Sequence, residues 1–170
     1  MKWVPFIILG VITLVCQTTI SGIIAIHSIW PNWLFVLAVH YALWGPWPEA
    51  AIGAWFLGLA VDLQTLAGFG SMGVYAFLFG GAAWAIIRIR SALVREHALT
   101  QFLVTLVFAW AIELLSELHR QWRTPAEMLS VAVWWPAFFT ALYTAACAPY
   151  LHWLLIRLGR WTGLRPARRL

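Results

Sequence analysis

The feature that most constrains this chain is a series of long apolar runs, separated by short charged or proline-rich segments. A helix needs about 20 predominantly apolar residues to cross the hydrocarbon core of a bilayer, and several of the runs approach that length. Of the 170 residues, 63% are hydrophobic and 10% are charged, which is too little polar surface for a water-soluble domain. We therefore predict an all-α integral membrane protein that forms a single domain over residues 1–170.

The runs predict about six transmembrane helices in one bundle, near residues 4–24, 32–45, 48–64, 71–88, 99–118 and 131–156. The second and third are short. The segment GPWPEA between them contains two prolines, and a tight hairpin is expected there because the residue before a proline disfavours helix. No convincing small-residue cleavage site follows the first run, so we expect an uncleaved span and not a signal peptide.

Basic residues indicate the orientation of the chain. They cluster after the fourth and sixth runs, and six crossings leave only Arg120 and Arg123 on the opposite side. Positively charged loops stay in the cytoplasm, so both termini are expected there, with a basic tail from about residue 157 that can contact anionic lipid headgroups. The net charge of +5 comes from these border positions and forms no basic-aromatic stripe, which argues against nucleic-acid binding.

Asp62 stands inside the apolar stretch FLGLAVDLQTLAGFGSMGVYAF, where a carboxylate is costly unless it faces something other than lipid. Gly58 precedes it by one helical turn in a stripe of small residues, and the fourth run carries a matching stripe through Gly73 and Gly80. We expect these two faces to pack closely together. Asp62 would then cap backbone amides of the turn TLAGFGS, or meet water or a partner, and we favour a structural role over a chemical one.

Other polar residues inside the runs give weaker signals. Glu113 and Glu117 in WAIELLSELHRQWR lie one turn apart, followed by Arg120. They are interpreted as a wet helix end with an internal ion pair, or alternatively as a contact to a partner or a pocket lined by two acids. His40 and His152 are each expected to be satisfied core or interfacial histidines and not ligands. The sequence contains no catalytic, metal-binding or phosphate-binding motif, so we predict a protein without cofactor, metal or enzymatic activity.

Residues 30–85 resemble the MreD family of bacterial rod shape-determining proteins. The resemblance lies in a Pro-Asn pair that opens a short helix, a proline-containing hairpin, and a Gly-x-x-x-Asp-Leu segment followed by a glycine and a helix rich in small residues. The chain length, the number of spans and the basic tail also agree with the family. The positions that carry over are Pro31, Asn32, Gly58, Asp62, Leu63 and Gly73.

The resemblance implies a non-enzymatic scaffold in the bacterial cytoplasmic membrane that supports lateral peptidoglycan synthesis. Its direct partner would be MreC, with RodA, the elongation transpeptidase and MreB contacted directly or indirectly. A stripe through Ala141 and Ala145 on the sixth run is a candidate face for the single helix of MreC, although we favour internal packing for it.

The family fold is also similar to the S component of energy-coupling-factor vitamin transporters, which gives a second hypothesis. The first run lacks the Ala-x-x-x-Ala pair with which S components dock their transport partner. This absence argues against the transporter hypothesis. A third alternative is an intramembrane acid-base enzyme that uses Glu113 and Glu117, but no motif supports it.

Overall fold

The structure, a computed structural model, describes residues 2–20, 22–27, 29–64, 72–123 and 131–159. Within these residues the chain forms six α-helices, which confirms the predicted all-α fold. Three of them, α1, α5 and α6, are long and apolar enough to cross a membrane. The helices are α1 (Trp3–Ile20), α2 (Trp33–Trp44), α3 (Glu49–Gln64), α4 (Val74–Ile89), α5 (Ala98–Arg123) and α6 (Val131–Arg157).

Two helix boundaries differ from the sequence prediction by about one turn. Helix α1 ends at Ile20 and not near residue 24, because Thr18, Thr19 and Ile20 are β-branched and Gly22 follows them. Helix α5 continues to Arg123, beyond the apolar run that was expected to end near residue 118. Polar residues in this last part pair within the helix, and such pairs extend a helix past its apolar portion.

Helix α2 is the centre of the bundle. Every residue from Leu34 to Leu43 is buried, and α2 contacts each of the other five helices. A helix that is buried on all sides has no polar face, which explains why this short segment is apolar except for His40. The rings of Phe35, Phe79 and Phe108 join α2, α4 and α5, with ring centroids 4.9 to 6.1 Å apart in edge-to-face arrangements.

Two helical hairpins flank α2. The most extensive helix contacts are those between α3 and α4 and those between α5 and α6. Helix α1 packs mainly against α2, and Phe6 and Gln17 are its buried residues. We call the end of the bundle where α2 begins the Asn32 end, and the opposite end the Arg90 end.

The alanine stripe of α6 faces the interior of the bundle. Ala141 and Ala145 are fully buried, and so is Ala148 one turn further on. Internal packing is therefore the use of this stripe, and the alternative, that Ala141 and Ala145 form a face for a partner helix, was wrong. Small side chains at these positions allow α6 to lie close to its neighbours.

Candidate functional site

Asp62 lies at the Asn32 end of the bundle and is buried, with 4% of its surface exposed. Its two carboxylate oxygens accept hydrogen bonds from the amides of Tyr75 (3.1 Å) and Ala76 (2.9 Å) in the first turn of α4. These amides have no partner within the helix, and the positive end of the helix dipole favours a carboxylate there. Asp62 therefore fixes the start of α4 onto the end of α3. The turn 65–71, where capped amides were expected, lies outside the described residues.

Gly58 brings the backbones of α3 and α4 together directly below Asp62. A Cβ atom at this position would lie 2.4 Å from the carbonyl oxygen of Tyr75 and 2.7 Å from the Cα of Ala76. No side chain fits into that space, so the approach of the two helices requires glycine. The same two residues of α4 thus contact both Gly58 and Asp62.

The two glycines of the fourth run have different surroundings. Gly73 precedes α4 with φ at +96°, a left-handed conformation that favours glycine. A Cβ at Gly80 would meet Trp55 at 3.5 Å, which is ordinary van der Waals contact. Gly80 therefore lies against α3, but it is not required there in the way that Gly58 is.

Tyr75 extends the contact from α4 to α5. Its hydroxyl lies 3.2 Å from Oγ of Ser116, which is also 2.9 Å from the carbonyl oxygen of Glu113. The side chain of Glu113 is half-buried beside Tyr75. The residues Asp62, Tyr75, Ser116 and Glu113 therefore form one polar contact across α3, α4 and α5, which we call the Asp62 cluster.

Glu117 does not share the surroundings of Glu113. Its carboxylate accepts two hydrogen bonds from Arg120, at 2.9 and 2.7 Å, and one from Gln121 at 3.1 Å. Arg120 is exposed over 53% of its side chain, so this is a surface ion pair within α5. The two acids of α5 therefore serve different contacts.

Asn32 caps the start of α2, and its side chain accepts a hydrogen bond from the amide of Leu34 at 3.2 Å. Gln17 of α1 reaches the same turn, donating to the carbonyl of Pro31 (3.4 Å) and accepting from the amide of Trp33 (2.8 Å). Thr144 of α6 accepts from the amide of Asn32 at 2.9 Å. Side chains from α1 and α6 thus satisfy the free amides at the start of the buried helix α2.

The opposite end of α2 is held by two arginines. Arg90 donates to the carbonyls of Ala42 (3.2 Å) and Gly45, and Arg95 donates to the carbonyl of Leu43 at 3.1 Å. The guanidinium of Arg95 also lies 6.0 Å from the ring of Trp44. Cations near the last carbonyls of a helix oppose the negative end of its dipole, so these arginines stabilise the end of α2.

His40 of α2 and His152 of α6 form a pair, which the sequence did not indicate. Both are buried, and their Nδ1 atoms lie 3.0 Å apart. One ring must donate and the other must accept at this distance. Both are core histidines, as predicted, but their pairing was not predicted, because the residues are 112 positions apart and only the packing of α6 against α2 brings them together.

Several residues in these contacts were missed at the sequence level. Gln17 and Thr144 are polar residues within apolar runs, and this alone marks them as candidates for interhelical hydrogen bonds. Tyr75 and Ser116 carried no comparable signal. Arg90 and Arg95 had been interpreted only as indicators of orientation.

Apart from the surface pair of Glu117 and Arg120, the polar contacts described above join helix ends and neighbouring helices. Among the described residues, no group of three histidines, cysteines or acids could hold a metal ion. Cys16 and Cys147 are free thiols. The fold and these contacts define a helical membrane protein whose polar residues fix the geometry of a compact bundle.

Comparison with protein-family models identifies the family. The model of the rod shape-determining protein MreD matches residues 1–160 of this chain. The chain belongs to the MreD family, and this places it among proteins with a role in rod shape determination. No curated protein and no solved structure matched it.

Proposed function

We propose that this protein is a non-enzymatic membrane scaffold of the cell-elongation machinery, which binds MreC directly and thereby supports lateral peptidoglycan synthesis. The observation that carries the proposal is the family match over residues 1–160. RodA, the elongation transpeptidase and MreB would then be associated directly or through MreC. The protein would work by holding partners in the membrane and not by chemistry.

The arrangement of the polar residues supports a scaffold. Asp62 and Asn32 bind backbone amides, and Glu117 forms a surface ion pair. Glu113, a member of the hypothetical acid pair, lies beside Tyr75. The contacts of Asp62 and Asn32 have the geometry of structural interactions, since each satisfies amides that the start of a helix leaves free.

We further propose that all six helices cross the bacterial cytoplasmic membrane, with both termini in the cytoplasm. The exposed residues Lys2, Arg88 and Arg157 belong to the Arg90 end of the bundle, together with Arg90 and Arg95. Such a concentration of positive charge at one end favours the cytoplasmic side.

Cysteine labelling in intact cells tests this orientation. In a background without Cys16 and Cys147, Ala92→Cys in the exposed turn after α4 should be protected from an impermeant reagent. Ile26→Cys in the exposed turn after α1 should be labelled. Labelling of position 92 in intact cells would show that the orientation is wrong.

Coexpression with an MreC homologue tests the proposed partner. A tagged protein should retain MreC through purification in mild detergent, and its depletion in a rod-shaped host should round the cells. Gly58→Leu should abolish the complex because it separates α3 from α4, whereas Gly81→Leu should retain it, since nothing lies within 4 Å of a Cβ at that exposed position. Stoichiometric copurification of a vitamin without MreC would instead favour a transporter S component.

A further inference from the structure

The α3–α4 hairpin and the α5–α6 hairpin present apolar surfaces that differ in length along their helix axes. Helices α3 and α4 contain 16 residues each, which at about 1.5 Å per residue makes them about 24 Å long. Helices α5 and α6 contain 26 and 27 residues and are about 40 Å long. The hydrocarbon core of a typical bilayer is about 30 Å thick, so only the second hairpin exceeds it.

The exposed apolar side chains show the same difference. On α3 they extend from Ile52 to Leu63, a distance of about 17 Å along the helix. On α6 they extend from Trp134 to Leu154, about 30 Å. The exposed Gln64 follows the apolar surface of α3, and the exposed Arg88 interrupts that of α4.

Two matched arginine–tryptophan pairs give a common reference at the Arg90 end. The guanidinium of Arg88 lies 5.0 Å from the ring of Trp84 on α4, and that of Arg157 lies 5.0 Å from the ring of Trp153 on α6. Tryptophan and arginine at a helix end are typical of the bilayer interface. From Trp84 to the start of α4 is about 15 Å, whereas from Trp153 to Trp134 is about 29 Å.

We propose that the α3–α4 face thins the bilayer beside it and preferentially contacts phospholipids with short acyl chains, while the α5–α6 face accepts a bilayer of ordinary thickness. A helix longer than the hydrocarbon core can tilt, whereas a shorter one is accommodated by thinning of the bilayer, by snorkelling of flanking residues or by oligomerisation. Gly58 and Asp62 fix α3 and α4 to each other, so neither helix can slide along the other to lengthen their shared apolar surface. This inference does not depend on the identity of any protein partner.

Site-specific fluorescence quenching tests the proposal on the full chain in phosphatidylcholine vesicles. Cys16 and Cys147 are replaced by alanine, and a fluorophore is attached to Phe56→Cys at the middle of α3 or to Val107→Cys in the central part of α5. Both positions are exposed, at 49% and 63%. The vesicles contain equal amounts of phosphatidylcholine with fourteen-carbon acyl chains and phosphatidylcholine with twenty-carbon acyl chains. Bromine, which quenches the fluorophore, is attached to the short lipid in one sample and to the long lipid in a second sample.

The expected result is a short-chain preference at one face only. The ratio of quenching by the short lipid to quenching by the long lipid should be at least about twofold higher at position 56 than at position 107, because mismatch costs a fraction of a kcal/mol per Å. Equal ratios at the two positions, or a higher ratio at position 107, would overturn the proposal.

A second measurement needs no label. Arg88→Leu removes the polar residue that interrupts the α4 surface, and Arg157→Leu makes the same change in the matched pair on α6. The acyl-chain length that gives the highest melting temperature in vesicles should increase for Arg88→Leu and stay unchanged for Arg157→Leu. The proposal fails if both variants keep the optimum of the unchanged protein, or if only Arg157→Leu shifts it.

Discussion

The two hairpins that flank α2 are held together by different means. In the α3–α4 hairpin the backbones meet at Gly58, and Asp62 binds the first amides of the second helix. In the α5–α6 hairpin the helices are longer, and packing is distributed over buried alanines such as Ala109, Ala141 and Ala145. Short helices offer little surface for packing in lipid, so their association depends on a few close contacts.

Helix α2 extends this comparison to the centre of the bundle. It contains only 12 residues, and its two ends are satisfied by side chains from α1, α6 and the α4–α5 connection. A buried helix end without such partners would leave amides and carbonyls unpaired. The half of the molecule with the short helices α2, α3 and α4 therefore depends for its stability on a few identifiable contacts. Substitutions there should have larger effects than substitutions in the half with the long helices α5 and α6.

The largest effect is expected for Gly58→Leu, which would break the α3–α4 hairpin. The new side chain meets backbone at 2.4 Å, and backbone cannot yield as a flexible side chain can. We expect a loss at or above the upper end of the usual overpacking cost of about 1–3 kcal/mol, seen as little folded protein on size-exclusion chromatography in detergent. Gly80→Leu should cost less, because Trp55 leaves space at that position, and Gly81→Leu should cost almost nothing. Equal yields for all three variants would refute the close contact.

Removal of the Asp62 carboxylate should have the next largest effect. Asp62→Leu leaves the amides of Tyr75 and Ala76 without their acceptor, and each hydrogen bond to a charged group contributes about 1.5–3 kcal/mol. Asp62→Asn retains one acceptor oxygen and should lower the melting temperature about half as much. A folded Asp62→Leu variant that had lost only its association with partners would instead make Asp62 a functional group.

Loss of the contact between α1 and α2 should lower the stability less than loss of the Asp62 carboxylate. Gln17→Leu removes two hydrogen bonds at the start of α2, and we expect a loss of about 1–2 kcal/mol. Thr19→Leu is a suitable control, because Thr19 is exposed two positions further along the same helix. Thermal unfolding in detergent measures both. A melting temperature of Gln17→Leu equal to that of the control would show that the α2 start does not need this contact.

The smallest effect is expected in the long half, for Glu117→Gln. The variant removes the ion pair with Arg120, whose side chain is largely exposed, and such surface pairs contribute about 0–1 kcal/mol. Its melting temperature should stay close to that of the unchanged protein. A loss comparable to that of Asp62→Leu would contradict the difference between the two halves and assign Glu117 a further contact.

Much of the helix order could be predicted from sequence, because apolar runs report local structure directly. The hairpin at GPWPEA joins α2 and α3 as expected, and the boundaries of α2 and α3 lie within one residue of the prediction. The match of Gly58 to a small-residue stripe also came from spacing alone, since residues four apart share one helix face. The amides that Asp62 binds could not be predicted, because they lie 13 and 14 residues away on another helix.

By itself, the sequence determined the all-α membrane class, the helix order, and the resemblance to the MreD family, because these depend on composition, local periodicity and short motifs. Only the tertiary structure decided which polar groups meet. His40 and His152 are 112 positions apart, as are Asn32 and Thr144, and neither pair shares a local pattern. The physical reason is that a buried polar group needs a partner, but helix packing chooses that partner from anywhere along the chain.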